Sequence, residues 1–186
     1  MVLCLSHTTR ELFACYIALT LAAERWQQDL EVFIIYPDPR ESKGAPIPPH
    51  KKLYIWPGQE LKGCRRRGAD RNHIENGCTY QVVRVVERSE NEGEVVVKLA
   101  PSMIMEDTPV NEIKLSYFEA SQLLRYNYAA TVAGCQGLTF ANKRVLLLET
   151  EHKFFCRRKL YVATSRCTDP ALFHVPSLEA VNETKK

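Results

Sequence analysis

The sequence predicts an α/β fold, a parallel sheet with helices, interrupted by a small β-barrel. Three observations carry this expectation. Two strand-like runs, Tyr128 to Thr131 and Leu160 to Ala163, each end in polar groups suited to phosphate, as strands of an open parallel sheet do at their carboxyl edge. A third apolar run, Val2-Leu3-Cys4-Leu5, passes through Ser6-His7-Thr8-Thr9 into a helical pattern, which makes one strand, turn and helix unit. Between these parts lies a proline-rich stretch followed by short β-type runs, a pattern foreign to a parallel sheet.

Length and composition bound the function. A chain of 186 residues can bury one core plus a small appended module. Its 45% hydrophobic and 25% charged residues read as a soluble globular protein. A net charge of +3 is too small to identify a nucleic-acid binder, so the placement of charge must do so. The seven cysteines are odd in number and form no Cys-x-x-Cys pair, which points to a reduced, intracellular protein (nucleus, cytoplasm or viral replication site). Cys64, His73 and Cys78 fit no common zinc-finger spacing, and no metal site is expected. The longest apolar run, near Leu12 to Ala23, is too short to span a bilayer, and no signal peptide or membrane partner is expected.

In chain order, the strand at Val2 to Leu5 is followed by a capping-box pattern, Thr8 with Glu11, which predicts a helix start. Leu12, Phe13, Tyr16, Ile17, Leu19 and Leu21 give that helix an apolar face to about Trp26. Glu31 to Tyr36 reads as a second buried strand. Pro37, Pro39, Gly44, Pro46, Pro48 and Pro49 then mark a loop, with a module boundary near residue 50. Leu53 to Trp56, Cys78 to Val86 after the Asn76-Gly77 turn, and Gly93 to Leu99 suggest a small SH3-like or OB-like barrel over residues 51–110. Ser116 with Glu119 predicts a second helix start, which returns the chain to the α/β layer over 111–186. Strands are then expected at Tyr128 to Thr131, Arg144 to Leu148, Leu160 to Ala163 and Ala171 to Val175.

The chemistry concentrates after two of these strands. Beyond Thr131 comes a tight loop with Gly134, Gln136 and Gly137, where backbone N–H groups can approach an anion, and Thr139 adds a hydroxyl. Leu160 to Ala163 delivers Thr164, Ser165 and Arg166, and an arginine there suits bidentate phosphate recognition. Two basic clusters stand out: Lys62, Arg65, Arg66, Arg67 and Arg71, then Lys153, Arg157, Arg158 and Lys159. Either could track a nucleic-acid backbone or simply be solvated. Tyr54, Trp56 and Tyr80 either stack on bases or fill the barrel core. Gly58-Gln-Glu-Leu-Lys-Gly63 has P-loop glycine spacing, but Cys64-Arg65 replaces the required Lys-Ser/Thr and no helix follows. Glu149, after Leu146 to Leu148, looks like a magnesium-organising acid only superficially.

Tyr128 to Phe140 and Leu160 to Arg166, in this order and spacing, resemble the last two signature motifs of superfamily 1 helicases of the Pif1/RecD type. The chain departs from that pattern at Ala133-Gly134, where the family usually carries His-Lys, so direct side-chain contacts from those positions are absent. The resemblance implies a second, RecA-like motor domain over 1–50 and 111–186, with an SH3-like barrel inserted at 51–110. It implies Arg166 as the arginine finger and Gln136, Gly137 and Arg10 at the nucleotide. Thr131, Thr139, His7 and Arg65, Arg66 and Arg67 are assigned to the nucleic acid, with the alternative that Ser6 to Thr9 only cap the helix. The implied partners are single-stranded DNA and a P-loop RecA-like domain of the same or another chain. No Gly-x-x-x-x-Gly-Lys-Ser/Thr occurs here, so ATP and Mg2+ are expected only together with that domain, and this chain alone is expected to hydrolyse no ATP. The rival reading is a non-catalytic nucleic-acid-binding module derived from a helicase.

Overall fold

The computed structural model describes residues 1–37, 52–64, 74–89, 92–103 and 111–176. The chain runs β1 (Val2–Cys4), α1 (His7–Gln27), β2 (Phe33–Ile35), β3 (Leu53–Ile55), β4 (Glu60–Gly63), β5 (Thr79–Ser89), β6 (Glu92–Leu99) and β7 (Ile113–Ser116). It continues through α2 (Tyr117–Leu123), β8 (Leu124–Tyr126), β9 (Ala129–Thr131), β10 (Val145–Leu147), α3 (Arg157–Thr164) and β11 (Phe173–His174). Contacts divide it into two compact units, Met1–Ala14 with Tyr128–Lys186, and Cys15–Asn127.

The first unit holds the expected parallel sheet, in the order β11-β10-β1-β9. Strand β1 pairs in parallel with β9 on one side and β10 on the other, and it is buried along its whole length. A central parallel strand is covered on both faces, which is why its sequence is an unbroken apolar run. Leu3, Val132, Cys135, Phe140, Val145, Leu147, Phe155 and Ala163 form the core of this unit. At about 1.5–3 kcal/mol for each fully buried large aliphatic or aromatic side chain, such a cluster is its main support.

Three expectations in this unit are corrected. Leu160 to Ala163 is not a strand but most of helix α3. A two-residue period would place Tyr161 and Ala163 on one face, yet Tyr161 is 72% exposed and Ala163 is fully buried. Arg157, Arg158, Lys159, Leu160 and Ala163 are all strong helix formers, and a four-residue apolar run cannot distinguish the two structures by itself. The last strand shortens to two residues because Pro170–Leu172 forms a 3-10 turn, capped by Asp169 accepting from the Ala171 N–H at 2.8 Å. Helix α1 starts at His7, not after Thr8; its cap is Ser6, whose hydroxyl oxygen accepts from the Thr9 N–H at 3.1 Å.

The second unit is antiparallel where its strands pair. Five strands run β7-β6-β5-β4-β8, and β2 pairs with β3. This unit therefore takes in β2 before residue 50 and β7 and β8 after residue 110, and β2 does not join the parallel sheet. Among the described residues the order is open, with β7 and β8 as its edges. Gly77 adopts φ 92, as the Asn-Gly turn requires, and the hairpin β5–β6 follows. The stretch with P-loop spacing is a turn at Gly58, φ 86, followed by strand β4. Helix α2 carries the full capping box: the Glu119 N–H donates to Ser116 Oγ, and the Ser116 N–H donates to the Glu119 carboxylate.

Candidate functional site

Parallel strands β9, β1 and β10 end side by side at Thr131, Cys4 and Leu147. The loops that follow share one edge, the edge at which open α/β sheets bind ligands. After β10 the backbone turns left-handed at Glu149, φ 61, an uncommon conformation for a residue with a Cβ. Its Oε2 accepts from the N–H groups of Leu5 at 2.6 Å and Ser6 at 2.8 Å. Its Oε1 accepts from the hydroxyls of Ser6 at 3.0 Å and Thr9 at 2.7 Å. Burial alone would raise the pKa of this carboxyl. The donors, the Ser6 N–H foremost, outweigh burial, so the pKa is lowered and the group stays ionised. Four donors fill the roughly four lone-pair sites of a carboxylate. Glu149 is thus a clamp that holds the turn between β1 and α1, not a group free to organise magnesium.

The second part of the edge is built from the two motifs. Thr131 is buried, and its Oγ1 accepts from the Gly134 N–H at 3.0 Å, closing the turn after β9. A Cβ on Gly134 would lie 2.9 Å from that oxygen, so glycine is what permits the close approach. Ala133–Cys135 is a 3-10 turn, with Cys135 buried beneath it and Ala133 and Gly134 exposed. Gln136, Gly137 and Thr139 are exposed, and Gly137 takes φ 80. This loop meets the end of α3 directly: the Phe140 N–H donates to the Arg166 carbonyl at 2.7 Å, and Phe140 forms a parallel bridge with Cys167. The partly buried Arg166 side chain donates from Nη1 to the Leu138 carbonyl at 3.5 Å and from Nη2 to Ser165 Oγ at 3.1 Å. Because Arg166 follows a helix C-terminus, its charge is also favoured by the helix dipole.

The structure thus joins Arg166 to the loop of Gln136, Gly137 and Thr139, although it arrives by a helix. Arg10 lies in the first turn of α1, largely buried, and its Nη2 pairs with Glu11 at 2.7 Å. His7, the first residue of that helix, is exposed. Arg65, Arg66 and Arg67 lie outside the described residues, as do Arg71 and His73. Tyr54, Trp56 and Tyr80 are only 6%, 8% and 1% exposed, so they are core and offer no stacking face. The Cys64 thiol donates to the Gln122 carbonyl at 3.6 Å and the Cys78 thiol to Glu75 at 3.5 Å. Among the described residues no group of His, Cys, Asp or Glu is arranged to hold a metal ion.

Sequence reasoning missed the role of Glu149. Its partners lie 140 to 144 positions away, and the one local sign is a polar residue just past a parallel strand.

No curated protein matches the chain. A family model does, that of the viral superfamily 1 RNA helicase core domain, over residues 39–174. That span covers well over half of the chain, includes both motifs, and accords with the parallel sheet and helices of a RecA-like helicase fold. The chain therefore belongs to the viral superfamily 1 RNA helicase core-domain family.

Proposed function

We propose that this chain is the C-terminal motor domain of an ATP-dependent helicase of the Pif1/RecD type, with Arg166 as its arginine finger. The observation that carries the reading is the junction of Arg166 with the Gln136 to Phe140 loop through the 2.7 Å backbone bond and the parallel bridge. A guanidinium held at the Leu138 carbonyl, in the loop that carries exposed Gln136 and left-handed Gly137, can meet developing negative charge, which is the largest electrostatic lever on phosphoryl transfer. ATP with Mg2+ supplies the phosphoryl group that is transferred to water, and its binding needs a P-loop domain of the same or another chain. In this reading Gln136 and Gly137 sense the γ-phosphate or ribose, and Arg10 adds a cation from the first turn of α1. Exposed Thr139 and His7 are assigned to the strand, and buried Thr131 acts there through the turn its hydroxyl closes, so the Gln136 to Thr139 loop links nucleotide state to strand position. Magnesium ligands belong to the P-loop partner, since Glu149 is saturated by this chain's own donors.

The antiparallel unit takes the place of an inserted SH3-like barrel, supported by its position between the two segments of the parallel-sheet unit. Single-stranded DNA as the substrate rests on the motif resemblance. The matched family is described for RNA helicases, so both strands belong in the test.

In the helicase containing this domain, Arg166→Ala is expected to lower strand-stimulated ATP hydrolysis by about 10³-fold while ATP and strand binding persist. DNA is expected to stimulate better than RNA. Undiminished turnover would remove Arg166 from the mechanism and favour the non-catalytic module, in keeping with exposed Ala133 and Gly134, which carry no functional group.

A further inference from the structure

The segment leaving β10 presents a surface that the reading above does not use. Phe155 is 8% exposed within the parallel-sheet core, whereas its neighbour Phe154 is 62% exposed. The backbone sets this division. The His152 N–H donates to the Glu149 carbonyl at 2.9 Å, and the Phe155 N–H donates to the His152 carbonyl at 2.7 Å. The Phe154 N–H donates to His152 Nδ1 at 3.2 Å. Phe154 is therefore held out in water by a hydrogen-bonded turn.

Cations gather around the ring. Lys153 Nζ lies 5.0 Å and Lys159 Nζ 5.8 Å from its centroid, and the His152 ring is 5.3 Å away, tilted by 47°. Arg157 and Arg158 are exposed in the first turn of α3, and Tyr161, one turn beyond Arg157, is 72% exposed. Among the described residues no carboxylate pairs with these four cations. Three successive basic residues in a first helical turn oppose the helix dipole, and Cys156 supplies no side-chain cap, so helix stability is not what they serve.

We propose that Phe154 and Tyr161, with Lys153, Arg157, Arg158 and Lys159, form a platform for single-stranded nucleic acid. The inference rests on the reading of the chain as a strand-translocating motor domain, and it supplies a contact surface that, Tyr161 apart, lies outside both signature motifs. A cluster of unpaired cations fits a polyanion, and flat exposed rings among them fit stacked bases better than an acidic peptide. A lipid surface would ask for exposed aliphatic side chains between the cations. Among the described residues of this segment the large exposed apolar side chains are the two aromatics. When a base stacks on Phe154, the ammonium groups that occupy the ring in the free protein pass to phosphate oxygens, so stacking and charge neutralisation occur together. Stacking is indifferent to sugar, so DNA and RNA strands are bound alike at this platform, and any preference arises elsewhere.

The test is fluorescence anisotropy with labelled thymidine and uridine 20-mers on the whole chain across a salt series, beside sedimentation with anionic phospholipid vesicles. Phe154→Leu keeps apolar bulk but removes the π-face, and it is expected to weaken binding of both strands by about 5- to 150-fold. Lys153→Ala with Lys159→Ala is expected to reduce the slope of log K against log salt by about 1.4, from two phosphates at about 0.7 each. Phe154 is exposed, so its replacement leaves the core intact. Affinity of Phe154→Leu within about two-fold of wild type would place the strand elsewhere and overturn the platform. Wild-type strand binding too weak to detect at low salt, or binding to vesicles alone, would overturn it as well. The motor-domain reading is judged separately, by the turnover of Arg166→Ala.

Discussion

Replacing Glu149 tests whether the carboxyl edge of the sheet is held by one acid. Its carboxylate accepts from the Leu5 and Ser6 N–H groups and from the Ser6 and Thr9 hydroxyls at 2.6 to 3.0 Å. Hydrogen bonds to a charged group contribute about 1.5–3 kcal/mol each when removed singly, but four bonds to one acceptor do not add. The site is partly solvated, so water replaces part of the loss. Glu149→Ala is therefore expected to cost about 2–4 kcal/mol. It also keeps the left-handed backbone, which strains alanine as it strains glutamate. Glu149→Gln retains one acceptor and turns an NH2 group toward donors, for a loss of about 1–2 kcal/mol.

Urea unfolding measures both variants, and amide exchange at Leu5 and Ser6 reports the clamp itself. Stability of Glu149→Ala within about 0.5 kcal/mol of wild type would refute the reasoning. So would fast exchange of those two amides in the wild-type protein. The pH dependence has a definite sign. The folded-state pKa is lowered, so the stabilisation is complete above the ordinary carboxylate range and is lost as pH falls through the folded value. Glu149→Gln is expected to flatten this part of the profile.

Other predictions concern the rest of the fold. A Cβ on Gly63 would clash with the Glu75 carbonyl oxygen and sit 3.0 Å from Ile74 and 3.1 Å from Tyr80, so Gly63→Ala is expected to lose about 1–3 kcal/mol in thermal unfolding. Ser116→Ala removes the capping box of α2 and is expected to cost about 1 kcal/mol in the same assay. Cys4 is fully buried, and burial, reinforced by Glu149 and opposed by Arg10, pushes its thiol up to about 11, while Cys156 is exposed. Iodoacetamide at pH 8 is therefore expected to modify Cys156 and spare Cys4 until the protein unfolds, as read by peptide mass mapping.

Much of the architecture is legible where local chemistry decides it. The apolar run at Val2, the Asn76-Gly77 turn, the Ser116 and Glu119 box and the strand at Val145 each name their own structure. Legibility fails where tertiary context decides. Leu160 to Ala163 is too short for periodicity to separate helix from strand, and the 72% exposure of Tyr161 beside buried Ala163 becomes visible only in the fold. Strands β4, β7 and β8 are three or four residues long and owe their identity to their neighbours in the sheet, and β2 looks like a parallel strand but pairs with β3. Tyr54, Trp56 and Tyr80 carry the same residue types as a stacking surface, and only burial assigns them to the core. For the site, Arg166 and the Gln136 loop are readable as motifs, whereas Glu149 depends on contacts across most of the chain.

The most direct test of the motor-domain account is equilibrium binding of ATP and of the transition-state mimic ADP with aluminium fluoride to the helicase containing this domain, for wild type and Arg166→Ala. A residue that acts on developing charge is worth more to the mimic than to the ground state. The account predicts that Arg166→Ala weakens the mimic by about 10²-fold or more while ATP affinity changes by less than about three-fold. Equal loss for both ligands, or loss for neither, would contradict the assignment of Arg166 as the arginine finger.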